Sequence, residues 1–168
     1  MRNLSQVLVV IMLLCATACK VNYSMTGASI SPNAKTVSVL FFVNNASLAP
    51  PTVSQKFTDA LRGIMTSQTS LKSIPKNGDL NFEGNIVNYY VQAQAPQANQ
   101  TTANNRLTIT VFVKFTNVTN DKQNFEQSFT RYADFAAGKT LIDVQDQLIK
   151  EINDQLVQDV FAKSATNW

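Results

Sequence analysis

Residues 106–116 read Arg-Leu-Thr-Ile-Thr-Val-Phe-Val-Lys-Phe-Thr, and their alternation sets the fold. Leu107, Ile109, Val111, Val113 and Phe115 fall on one side of an extended chain. Arg106, Thr108, Thr110, Phe112, Lys114 and Thr116 fall on the other. Side chains of a strand alternate between its two faces, so this is a strand with one face in a core and one facing water. A one-sided strand of this kind belongs to an antiparallel sheet covered on a single face.

The neighbouring segments fit that frame. Asn117–Asn124 is polar and supplies a turn, and Phe125–Phe135 is a further strand. On the other side, Ala93–Ala103 is a polar Ala/Gln-rich loop. Before it, Leu80, Phe82, Gly84 and Ile86 alternate with Asn81, Glu83 and Asn85 in a strand running to about Gln92. Residues 36–43 (Thr-Val-Ser-Val-Leu-Phe-Phe-Val) are β-branched and apolar almost throughout, which predicts a buried central strand. Between these strands the period changes. Val53, Phe57, Ala60, Leu61, Ile64 and Met65 recur at helical spacing from Thr52 to about Gln68. Leu71–Ile74 is a short edge piece before the Pro75–Asp79 turn. At the end of the chain, Asp143 is the expected cap of a helix carrying Val144, Leu148, Ile149, Ile152, Leu156, Val160 and Phe161 to about Lys163.

Strand, helix, then strand predicts parallel neighbours joined by a crossover, with the later strands antiparallel. The expected architecture is α/β: a two-layer sandwich with a mixed sheet of about four to five strands and two helices on one face.

Composition narrows the chemistry. The 168 residues include no histidine, the usual general base and the commonest metal ligand. Ser-His-Asp and Cys-His chemistry is therefore impossible within the chain. No phosphate-cradling glycine loop occurs, and neither a metal site nor a cofactor is expected. The net charge of +3 is too mild to imply nucleic acid, and no basic run supports it. Asp79, Glu83, Glu126 and Asp134 are scattered carboxylates, expected to be solvated charges and not a catalytic pair.

Both cysteines lie near the start. Arg2, the apolar run Val7–Leu14 and the small residues Ala16-Thr17-Ala18 before Cys19 make an export signal. The run is too short to span a bilayer, which takes about 20 apolar residues. A cysteine just after the cut is the acceptor of a lipoprotein signal: its thiol takes a diacylglycerol and the new amino terminus is acylated. Bulky Leu14 makes Cys15 the poorer acceptor. Residues 1–18 are thus expected as lipoprotein signal peptide, 19–35 as lipidated tether and 36–168 as one domain. Two or three acyl chains would anchor it stably.

The polar face carries the candidate binding residues. Arg106 and Lys114 share it with threonines and outward Phe112, and Arg131 on the next strand is expected to join them. Spaced cations beside an aromatic would suit an anionic lipid headgroup, Arg pairing phosphate in a bidentate manner. The competing expectation is an ordinary solvated face.

Several segments in order also resemble a known family. Tyr23–Ile30 (YSMTGASI) leads into Lys35-Thr36-Val37 and Phe42–Ala46. Ser54–Leu61, Gln68-Thr69, Gly78–Gly84, Asn104–Ile109 and Phe129–Phe135 follow. Together they resemble the lipopolysaccharide-assembly lipoproteins, LptE, in the branch outside the enteric bacteria. The resemblance covers about residues 23–160. It implies an outer-membrane lipoprotein facing the periplasm, which plugs and helps assemble the LptD-like β-barrel that inserts lipopolysaccharide into the outer leaflet. It also implies two helices on a sheet of about four strands, and no catalysis. Lys20 stands where an inner-membrane retention aspartate would. The alternative is a stand-alone periplasmic lipid- or glycan-binding lipoprotein. Against sugar binding, the sequence offers few exposed aromatics beyond Phe112 and Tyr89-Tyr90.

Overall fold

The computed structural model describes Ile30, residues 33–95 and residues 104–165. The signal segment, Cys19, most of the tether and most of the Ala93–Ala103 loop lie outside these. The elements are β1 (Thr36–Val39), β2 (Val43–Asn44), α1 (Thr52–Gln68), β3 (Lys72–Ser73), β4 (Leu80–Gln94), β5 (Asn104–Asn117), β6 (Phe125–Ala136) and α2 (Leu141–Ala165). A short 3-10 turn at Asp121–Gln123 lies between β5 and β6.

The six strands form one mixed sheet in the order β3-β1-β4-β5-β6, with β2 also pairing β4. β1 runs parallel to β4, as the crossover through α1 requires. β4, β5 and β6 are antiparallel and long. Both helices cover one face and pack against each other, with α1 over β1–β3 and α2 over β5 and β6. The expected two-layer α/β sandwich is what the chain forms.

The core lies between these layers. Leu107, Ile109, Val111 and Val113 of β5 are fully buried, matched by Phe57, Leu61 and Met65 of α1 and by Ile149, Ile152 and Leu156 of α2. Each contributes about 1.5–3 kcal/mol by leaving water. Phe82, Phe115, Phe125 and Phe129 form a run of ring contacts with centroids 4.8, 5.3 and 6.1 Å apart.

Residues 36–43 depart from expectation. The apolar run breaks at Leu40–Phe42, because one extra residue enters this strand relative to β4: Val39 pairs with Phe82, but Val43 pairs with Asn85. The break turns Phe42 into the core against Phe57, centroids 4.9 Å apart. It leaves Phe41 and Val43 exposed on the opposite side. The freed backbone groups find side chains of α1: the Phe42 N–H donates to Thr58 Oγ1, and Arg62 Nη2 donates to the Val39 carbonyl. The run is therefore two short strands beside β4 and not one central strand. The α2 boundary also shifts. Thr140 precedes its first turn and Asp143 reaches back to it, so Asp143 lies inside the helix and supports the cap from there.

Candidate functional site

Residues opposite one another in a ladder share a face. On the side away from the helices, β5 places Arg106, Thr108, Thr110, Phe112, Lys114 and Thr116, as expected. β6 adds Glu126, Ser128, Thr130, Tyr132 and Asp134. β4 adds Asn81, Glu83 and Asn85, then Asn88, Tyr90 and Gln92 after an irregularity between Ile86 and Asn88. That irregularity reverses the inside–outside phase. It buries Tyr89, whose hydroxyl accepts a hydrogen bond from Gln145 of α2, and turns Tyr90 outward. Burial pushes the Tyr89 hydroxyl's pKa up, against the pull of the Gln145 bond.

The cations of this face are matched at home. Arg106 Nε and Nη2 donate to the two oxygens of Asp134 at 2.7 and 2.9 Å. Those bonds hold the Asp134 carboxyl below the ordinary range and raise Arg106. Lys114 lies between Glu83 at 3.0 Å and Glu126 at 3.9 Å, and the Glu83 hydrogen bond raises its pKa. Arg131 does not join them. It lies opposite Ile109, so it is on the helix side, and its bidentate partner is Asp159 of α2, at 2.6 Å for both bonds. Arg106 and Lys114 are eight residues apart on one strand, about 27 Å at 3.4 Å per residue. The three expected headgroup ligands are thus brought to two faces, each with its own carboxylate.

The four scattered carboxylates each have a structural partner. Asp79 accepts from the N–H groups of Lys35 and Thr36 and from the Thr36 hydroxyl at 2.8–2.9 Å. Glu83, Glu126 and Asp134 hold the cations just described. Among the described residues no group of three or more His, Cys, Asp or Glu side chains could hold a metal ion. No described helix is long and apolar enough to cross a membrane.

Tyr90 and Tyr132 are the residues the sequence pattern did not bring together. They flank Thr108 in one row across β4, β5 and β6. Both are about half exposed, at 44% and 50%, while Thr108 between them is 6% exposed. The Arg106 guanidinium lies 3.6 Å from the Tyr132 ring centroid, so the Asp134 pair also holds this ring. The Arg-Tyr-x-Asp spacing of residues 131–134 put Tyr132 and Asp134 on one face, but the phase change in β4 that exposes Tyr90 has no sequence signal. Elsewhere on this side, Phe41, Val43, Gly84, Phe112 and Lys114 line a shallow depression of ≈ 480 Å³.

A family model described as LptE, lipopolysaccharide-assembly, matches residues 34–164. Among solved structures, a minor lipoprotein from Acinetobacter baumannii superposes with a TM-score of 0.50 at 15% identity, over 77% of this chain and 91% of that one. An uncharacterized lipoprotein B from Nitrosomonas europaea gives 0.48 at 14% identity, over 86% and 88%. Rare lipoprotein B from Shewanella oneidensis gives 0.45 at 11% identity, over 75% and 90%. The first of these shares the sandwich fold. No curated protein matches the sequence.

Proposed function

The chain belongs to the LptE lipopolysaccharide-assembly family, a non-enzymatic family, and from that premise we propose that it is an outer-membrane lipoprotein that plugs and helps assemble an LptD-like barrel. The lipid on Cys19 holds the domain at the periplasmic side of the membrane, and the sandwich fits against the barrel wall. The observation that supports this beyond membership is the surface. Charged residues are 15% of the chain. On the open sheet face the cations of β5 are matched by carboxylates of the neighbouring strands, leaving hydroxyls, amides and a few aromatics. A polar, wet barrel interior accepts such a guest without unpaired buried charge.

Phosphate capture by Arg106, Lys114 and Arg131 is not part of this reading, because an incoming phosphate would have to displace their four existing carboxylate partners. Charge reversal at Lys114 is therefore expected to leave lipopolysaccharide capture unchanged.

Mild-detergent extraction of a tagged full chain tests the plug role. A barrel of much larger mass should come down with it, and a photo-crosslinker at Phe41 or Gln97 should mark that barrel. Recovery of the chain alone, uncrosslinked, would remove the proposal.

A further inference from the structure

The open sheet face carries an aromatic platform built on two half-exposed tyrosines. Tyr90, Thr108 and Tyr132 are paired across three strands, so the two tyrosines are about 9.6 Å apart by two strand spacings. On one side of this row lie Gln92, Arg106 and Asp134; on the other lie Asn88, Thr110 and Thr130. The row is about 14 Å along β5 from Phe112, clear of the exposed Phe41–Val43 edge.

The charge and shape of the patch select among ligand classes. Its only cation and only anion, Arg106 and Asp134, are bound to each other through two hydrogen bonds, so the patch is neutral. A polyanion gains nothing there. The apolar surface is two separated rings and not a continuous groove, which disfavours an acyl chain or a hydrophobic protein anchor. What remains are flat aromatic surfaces surrounded by both donors and acceptors: the Gln92 and Asn88 amides, the threonine hydroxyls and the remaining lone pairs of Asp134. A pyranose ring has this complementarity, with a face of C–H bonds to lie on an aromatic ring and hydroxyls at its perimeter. An extended chain of such rings reaches from one tyrosine to the other. The Arg106–Tyr132 stack also fixes one ring in advance, which lowers the ordering cost of binding.

We propose that the Tyr90–Tyr132 platform binds a saccharide chain, Tyr90 and Tyr132 by stacking and Gln92, Asn88 and Asp134 by hydrogen bonds. The proposal rests on the assembly reading only for the source of the saccharide, the carbohydrate part of a glycolipid, and a free neutral glycan has the same chemistry.

Saturation-transfer NMR on the detergent-solubilised full chain tests it. One arm uses a neutral O-polysaccharide released from a smooth-type lipopolysaccharide and the other uses maltohexaose. Transfer to the O-polysaccharide alone assigns the glycolipid source, and transfer to maltohexaose, with or without the first, assigns general glycan binding. In either case Tyr90→Ala and Tyr132→Ala should each weaken binding at least tenfold without moving the thermal midpoint, and Tyr90→Phe should retain most of it. No transfer in either arm, or transfer unaffected by both alanine variants, would overturn the proposal. If Tyr132→Ala fails to fold, the Tyr90 pair of variants decides alone. Saccharide capture without a co-purifying barrel would sink the plug reading and leave the platform standing, and the reverse result would sink only the platform.

Discussion

At Asp79 one carboxylate fixes the point where β1 begins. One oxygen accepts three hydrogen bonds from Lys35 and Thr36, while the Asp79 N–H donates back to the Thr36 hydroxyl at 2.9 Å. Gly78 makes the close approach possible: a Cβ there would lie 2.7 Å from the Ser38 nitrogen. The Lys35 N–H bond, followed by those of Thr36, holds the Asp79 carboxyl below its ordinary range. A carboxyl depressed by folding contributes stability above the unfolded value, near pH 4, and loses it as the pH falls through the folded value. Asp79→Asn should therefore lower the urea midpoint at pH 7, with the gap to the parent closing below about pH 4. An equal gap at pH 7 and pH 3 would sink this account. Gly84 is the second residue under such constraint. An added Cβ would meet the Phe112 carbonyl at 2.0 Å and, on the core side, the Phe42 ring at 2.7 Å. Gly84→Ala should cost about 1–3 kcal/mol, as overpacked cores do, measured by denaturant unfolding.

At the scale of elements, the helical and strand periods were legible, and what escaped was where a period slips. β5 and both helices follow their hydrophobic patterns because each has one face in the core. In β4 the single-residue slip before Asn88 costs no apolar pattern, since Tyr89 and Tyr90 are chemically alike; only the three-dimensional register decides which is buried. Arg131 lies on the face opposite to the expected one for a similar reason. A long side chain at the edge of the helix side can still reach Asp159 and water, so polarity did not reveal its face. The apolar stripe of α2 likewise omits Asn153, which is 2% exposed with neither amide atom bonded. A buried unpaired amide costs about 1–3 kcal/mol. Asn153→Leu, similar in volume, is expected to stabilise the domain by an amount of that order, read as a raised denaturant midpoint with an unchanged slope.

For the molecule as a whole, the division into layers was readable because its cause is simple: strands that are apolar on one side need one covering layer. The candidate site was less readable. A binding surface on an open sheet depends on which carboxylate satisfies which cation, and those pairings join residues 28 apart in sequence, as in Arg106–Asp134 and Arg131–Asp159. The proposed lipid acceptor, Cys19, precedes this fold in the sequence. Among the described residues the core draws on Ala34 through Ala165, with Ile30 packed against it. Cys19→Ser is thus expected to leave the thermal midpoint of the domain unchanged while moving the protein from the membrane fraction to the soluble one. An anchor acts on assembly by effective concentration, which confines the domain near its partner without adding any contact to it. The soluble variant should consequently still bring down the barrel when both are mixed at high concentration, but at least tenfold less of it from cells. If Cys19→Ser stays with the membranes, or lowers the midpoint, the thiol is not the anchor and the domain is held by its own surface.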